Sequence, residues 1–234
     1  MRALVRLEYR LMSHSSIARD QAPIQAHVKR RQLPSHSAMS ATRTMDSPLR
    51  FLSEFVREPL KVGAVWPSSR SLSRLIADCC EIKSGATVVE LGPGTGAFTG
   101  PILKRMNGRG RFLAMEINSN HAKVLERRFP RCEIIEDSAE NLHRHLNGDR
   151  ADCIVSGLAW GTMVPRTQKQ ILRSILKSLA PGGQFIAFAY VHAAWLPTSW
   201  RFRQRLVRHF KRVETTPIVW RNLPPAFVFR CWRR

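Results

Sequence analysis

A β-branched run ends in a carboxylate and continues into glycines at every second position: Val88-Val89-Glu90-Leu91-Gly92-Pro93-Gly94-Thr95-Gly96-Ala97-Phe98-Thr99. β-Branched residues favour an extended strand. Glycine admits the left-handed backbone that a tight turn needs, and the residues after Gly96 can open a helix. A parallel strand entering a helix through such a turn exposes backbone N–H groups beside the helix start, where a nucleotide-like ligand can sit. Glycine turns are common in α/β proteins, so the residues around this one carry the discrimination.

Downstream, the pattern alternates. Strands are predicted over 86–91, 111–116, 132–136, 152–156 and 184–190, and helices over 98–106, 119–129, 139–146 and 167–179. Gly108, Pro130 and Pro181-Gly182-Gly183 supply stops. A basic helix over 199–210 and two β-like runs, 213–220 and 226–232, finish the chain. This rhythm predicts an α/β, Rossmann-like domain, with a mostly parallel seven-stranded sheet, a C-terminal antiparallel hairpin and helices on both faces. Upstream, Leu49, Leu52, Phe55 and Val56 fall on one face of a helix over 47–59, which Ser47 caps and Pro59 stops. The loop over 60–69 mixes Val62, Val65 and Trp66 with hydroxyls, which suits a lid, and Ser69 caps a helix through Leu72, Leu75, Ile76 and Cys79.

Three acids stand at three successive strand ends: Glu90, Glu116 and Asp137. Gly92, Gly94 and Ala97 also satisfy the dinucleotide pattern G-x-G-x-x-G/A. Glu90, however, would oppose a pyrophosphate and suits an amino-bearing ligand. A carboxylate at Glu116 can accept both hydroxyls of a ribose, and Asp137 comes within reach of an adenine edge.

This arrangement resembles the class I S-adenosylmethionine-dependent methyltransferases over roughly residues 60–232. The resemblance implies that Glu90 and the glycines meet the cofactor's amino-acid part, that Glu116 binds the ribose and that Asp137 approaches the adenine. The cofactor-binding set it implies is Ser68, Ser69, Glu90, Gly92, Pro93, Gly94, Thr95, Gly96, Glu116, Ile117, Asp137, Ser138, Ala139, Ser156 and Gly157, with no metal. On this reading residues 46–234 form one methyltransferase domain that includes N-terminal helices within 47–80. Residues 1–45 form a basic extension without sustained periodicity, expected to be disordered.

Two acceptor classes follow. Glu90-Leu91-Gly92-Pro93-Gly94-Thr95-Gly96 also looks like the rRNA adenine dimethyltransferases, but their Asn/Asp-x-Pro-aromatic motif is missing from Ser156-Gly157-Leu158-Ala159-Trp160. Asn222-Leu223-Pro224-Pro225 comes two elements too late to replace it. Trp160 could still stack on a base, which keeps RNA adenine-N6 methylation as the alternative. The helix with Phe51, Leu52 and Phe55, the stretch Val62 to Ser69, the Ser156-Gly157-Leu158 turn and the stretch Val219 to Val228 resemble bacterial phospholipid N-methyltransferases, whose relatives act on ornithine lipids. That resemblance implies methyl transfer to the amine of phosphatidylethanolamine or an ornithine lipid at the cytoplasmic membrane surface.

Methyl transfer from a sulfonium is an in-line displacement that needs alignment and a nucleophile with a free lone pair. A lipid amine is largely protonated at neutral pH, so a group must take its proton. Tyr190, Glu58, Glu140 and His192 are the candidates, and Tyr190 or Trp66 could present an aromatic face to the product cation.

Charge bears on partners rather than fold. The chain carries 38 Lys and Arg against 17 Asp and Glu, a net +21. Such a surface is drawn to anionic lipid or nucleic acid. The expected contacts to anionic membrane lipids are the basic N-terminal region and the helix within 199–212. None of the five cysteines makes a CxxC pair, which points to a reducing compartment without zinc or a disulfide framework. No run of 18 apolar residues occurs and the first residues lack the apolar core of a secretory signal. A monomer in the cytoplasm, peripheral on the inner face of the membrane, is expected.

Overall fold

The computed structural model describes residues 69–234. The extension 1–45, the expected helix over 47–59 and the loop to residue 68 lie outside the described residues, and with them Glu58, Trp66 and Ser68.

Fourteen elements follow in order, one of them a short 3-10 turn. They are α1 (Arg70–Cys79), β1 (Thr87–Leu91), α2 (Thr99–Met106), β2 (Arg111–Met115), α3 (Ser119–Arg128), β3 (Glu133–Ile135), the 3-10 turn Ala139–Asn141, α4 (Leu142–His145), β4 (Ala151–Ser156), α5 (Pro165–Ser178), β5 (Leu179–Tyr190), α6 (Pro197–His209), β6 (Phe210–Thr215) and β7 (Ala226–Arg233). The seven strands form one sheet in the order β3-β2-β1-β4-β5-β7-β6. β1 to β5 are parallel, and β7 runs antiparallel to β5 and β6. The predicted sheet, including its antiparallel hairpin, is therefore the observed one.

The central strands β1, β2 and β4 bury both faces, as a parallel sheet covered by helices must, whereas the edge strands β3 and β6 are largely exposed or half-buried. Val89 and Leu91 of β1 join a core with Ile171 and Ile175 of α5 and Phe202 and Leu206 of α6. Val88 joins the opposite core with Leu72 and Ile76 of α1 and Ile102 and Met106 of α2. Because β1 lies between β2 and β4, the chain changes winding direction there. In such sheets the crevice beyond the carboxyl ends of the strands is where ligands bind.

Several boundaries differ from the sequence reading. The helix over 139–146 is a 3-10 turn followed by a single α turn. The glycine stop after α5 lies inside β5 instead. Ala151 pairs with Leu179, and the next pair is Cys153 with Gln184, so the strand loops out around Gly182 at φ +73°. The run over 213–220 forms β6 only to Thr215, followed by an isolated bridge from Val219 to Ala226. No helix among the described residues is long and apolar enough to cross a membrane.

Candidate cofactor and acceptor site

Gly92, Gly94 and Gly96 adopt φ of +64°, +57° and +84°, backbone that side chains rarely tolerate. Their surroundings differ. A Cβ at Gly92 would come within 2.5 Å of Leu158 and one at Gly96 within 2.6 Å of Phe129, whereas one at Gly94 would meet nothing within 4 Å. Gly92 and Gly96 thus permit close packing, and Gly94 faces an open cradle. The turn is fastened from outside: the Gly92 N–H donates to the Met115 carbonyl and Arg128 donates to the Thr95 carbonyl.

Two acids hold this cradle. Glu116 follows β2, is almost fully buried, and accepts the Gly94 N–H at 2.9 Å through Oε2 and the Asn118 N–H at 2.9 Å through Oε1. An ionised carboxylate offers about four lone-pair positions, so both oxygens can still accept from a ribose. Glu90 is fully buried within β1. Its Oε2 accepts the Thr99 hydroxyl at 2.6 Å, while Oε1 has no partner among the described residues. Burial pushes its carboxyl up to about 7, the Thr99 bond acts against this, and Glu116 adds to the rise. A buried, unsatisfied carboxylate oxygen is costly. Together with the open space over Gly94, it fits a ligand that carries an ammonium, as S-adenosylmethionine does.

Asp137 follows β3 and is fully engaged locally. It accepts from the Ser138 N–H at 2.6 Å and the Asn141 amide at 2.9 Å, and pairs with His145 Nε2 at 2.7 Å. These bonds hold its carboxyl down at about 2. Its neighbours Ser138, which caps the 3-10 turn, and Ala139 shape the same strand end. Ile117 stands exposed after β2, an apolar surface suited to an adenine face. The sequence pattern pointed to Asp137 but not to the His145 and Asn141 side chains that fix it.

The turn after β4 closes on the glycine turn. Gly157 donates its N–H to the Leu91 carbonyl at 2.8 Å, and a Cβ there would come within 2.5 Å of the Gly92 carbonyl oxygen. Ser156 is buried, and its hydroxyl accepts from Trp160 Nε1 at 3.0 Å and the Leu158 N–H at 3.3 Å. That hydroxyl serves the turn itself. Trp160 is buried too, stacked on Phe202 at 4.3 Å with rings 12° apart. The idea that Trp160 stacks on a base is corrected by this packing: its ring belongs to the core.

Tyr190 ends β5, opposite Ala226 of β7, with its ring stacked on His192 at 5.6 Å. Burial pushes the Tyr190 phenol above its ordinary range and the His192 imidazole below its own. Tyr190 therefore stays a phenol, and His192 is mostly neutral and able to take a proton at neutral pH. Glu140 sits in the 3-10 turn after β3. β3 lies four strand positions from β5, roughly 19 Å at the usual spacing, so Glu140 stands at the β3 edge of the sheet and not beside Tyr190. Ser69 caps α1, accepting from the Leu72 N–H, and its own N–H donates to Asn222 Oδ1 at 2.9 Å. Asn222 in turn donates to the Pro224 carbonyl at 2.7 Å. The Asn222–Pro225 stretch thus clamps the start of α1 beside the site. Among the described residues no cluster of His, Cys, Asp or Glu is placed to hold a metal ion.

Comparison with known proteins agrees with this geometry. Residues 88–183 match the family described as a methyltransferase domain. The chain is 29% identical over 187 residues to the ornithine lipid N-methyltransferase of Singulisphaera acidiphila, covering 77% of this chain and 93% of that protein. Among solved structures, TrmN from Thermus thermophilus superimposes with a TM-score of 0.61 at 15% identity, covering 76% of this chain and 52% of the other. An rRNA methylase from Streptococcus thermophilus does so with a TM-score of 0.53 at 15% identity, covering 70% and 94%. At these identities the superpositions report the fold.

Proposed function

We propose that this chain, a class I S-adenosylmethionine-dependent methyltransferase, places the cofactor's methyl group on the amine of a membrane lipid headgroup, of the ornithine lipid or phosphatidylethanolamine kind. The observation that carries the acceptor is the rim of the site. Among the described residues, most large apolar side chains left exposed follow the carboxyl ends of the parallel strands or precede β7 at that same edge. Val164 (65% exposed) follows β4, Trp195 (87%) and Leu196 follow β5, and Trp220 (69%) and Leu223 precede β7. An exposed apolar patch around a ligand site marks an interaction surface, and lipid is the acceptor class for which an apolar rim is useful. The similarity to the Singulisphaera enzyme, over nearly its whole length, supports the same class.

Bound at this site, S-adenosylmethionine supplies an electrophilic methyl group on a positively charged sulfur. Gly94, Glu116 and Glu90 hold its ends, and Asp137 and Ile117 meet its base. The headgroup amine must be deprotonated before its lone pair can accept the methyl group that the cofactor would supply. His192 takes the amine proton, and the Tyr190 ring gives the resulting cation a π face. Ser68 and Ser69 keep the cofactor contacts that the family resemblance gives them.

RNA adenine-N6 methylation is the second reading. It is favoured by the net charge of +21, which suits a nucleic-acid acceptor as it suits anionic lipid. What speaks against it is the β4 turn, where the only aromatic side chain, Trp160, is held in the core. Incubating the full chain with methyl-labelled cofactor, vesicles containing phosphatidylethanolamine or ornithine lipid and, in a separate arm, total RNA distinguishes the two. Label is expected in the organic extract of the vesicle arm. Label confined to RNA rejects the lipid reading. His192→Asn should lower kcat about tenfold or more while cofactor affinity stays near wild type.

A further inference from the structure

Residues 153–234 carry three lysines and eleven arginines against a single acid, Glu214. Glu214 is already paired with Arg212 and Arg230. Part of this excess gathers in a groove of about 380 Å³ between α5 and α6, lined by Lys169, Arg173, Leu176, Arg205, Arg208 and His209. Arg205 is positioned there, donating at 2.7 Å to Oε1 of the fully buried Gln168. Gln168 is in turn fixed by donating to the Trp160 and Thr198 carbonyls. Cations lining one groove repel one another, and an anion seated among them removes that cost.

The outer face of α6 supplies a second, independent observation. Phe202 and Leu206 face the core, while Trp200 (60% exposed) and Val207 (51%) share the opposite stripe, seven residues apart. Arg201, Arg203 and Arg208 are exposed around that stripe, and Trp195 and Leu196 lie exposed just ahead of the helix. Tryptophan on a helix rich in arginine is the composition of a segment lying in the headgroup layer of a bilayer.

We infer that α6 lies along the surface of an anionic bilayer, with Trp195 and Trp200 in the interfacial layer and the Lys169–Arg173–Arg205–Arg208 groove seating a lipid phosphate. The inference rests on the lipid reading only for which edge of the sheet faces the membrane. The docking itself needs no turnover.

Sedimentation of the full chain with vesicles, without cofactor, tests it. Binding should be about tenfold or more tighter to phosphatidylglycerol-containing vesicles than to phosphatidylcholine alone, and should weaken with salt. Trp195→Ala with Trp200→Ala, and separately Arg173→Gln with Arg208→Gln, should each weaken it about tenfold. The charge-preserving Arg173→Lys with Arg208→Lys should retain it. Each variant is checked by circular dichroism, and all four side chains are exposed, so folding is preserved. Wild-type affinity in both the tryptophan variant and the arginine-to-glutamine variant overturns the inference. So does a loss of affinity for total RNA but not vesicles in the arginine-to-glutamine variant. Vesicle docking without methylated lipid would leave this inference standing and reject the amine acceptor instead.

Discussion

Burial lifts the Glu90 carboxyl from 4.5 to about 7, against the pull of the Thr99 hydrogen bond and with a further push from Glu116. Folding thus favours the protonated acid. The stability this contributes is fully present below the ordinary value and is lost as pH rises through 7. A shift of that size corresponds to about 3 kcal/mol at most. Glu90→Gln should flatten the pH dependence, leaving thermal stability near wild type at pH 5 and raising it at pH 8. Melting curves of the ligand-free protein at those two pH values check this, and the same variant should bind cofactor more weakly. Two glycines make a contrasting pair. Gly94→Ala strains a positive φ by about 1–2 kcal/mol and fills the cradle, so it should weaken cofactor binding and lower stability by no more than that amount. Gly157→Ala drives a Cβ against the Gly92 carbonyl, so its larger effect should be on unfolding, read by urea titration. The placement of Glu90 and Glu116 at strand ends beside the glycine turn was legible because strand ends and glycine spacing are local patterns. The Gly157 approach was not, because it depends on two turns separated by the whole of β2 and β3.

At the scale of elements, the alternation of strands and helices read correctly wherever a boundary residue acted locally. Pro130 ends α3 as its chemistry requires, whereas Pro165 opens α5 two residues before the predicted start at 167. Pro181-Gly182-Gly183 misled the boundary of β5, because pairing with β4 overrides the local turn signal and the strand simply loops out. Trp160 misled as well. An aromatic at the β4 turn suggests a stacking surface, and only the packing of α6 shows its ring against Phe202. Asn222 was read as part of a family resemblance, whereas its role is to tie the β6–β7 connection to Ser69 across 153 positions of sequence. Asn222→Ala removes buried bonds to both Ser69 and Pro224. It should cost about 1–3 kcal/mol and loosen α1, measurable as faster amide exchange over 70–79.

For the whole molecule, the sheet order and the charge distribution answer different questions. The sheet order places the three acids Glu90, Glu116 and Asp137 along one carboxyl edge, and the apolar rim lies on that edge too. The charge of +21 shapes how the protein meets anionic surfaces, and vesicle binding should accordingly fall as ionic strength rises. Composition alone could not separate lipid from nucleic acid, because both present phosphates. The position of the exposed tryptophans favours lipid, and no periodicity in the sequence revealed them as exposed. Everything in this account depends on S-adenosylmethionine being held between the Gly94 cradle and Glu116. Calorimetric titration of the full chain tests that directly. It should show one cofactor per chain, with affinity falling about tenfold or more in Gly94→Ala and in Glu116→Gln and staying at wild type in the control Glu126→Gln on the exposed side of α3. Absence of binding to the wild type, or full affinity in Glu116→Gln, would contradict it.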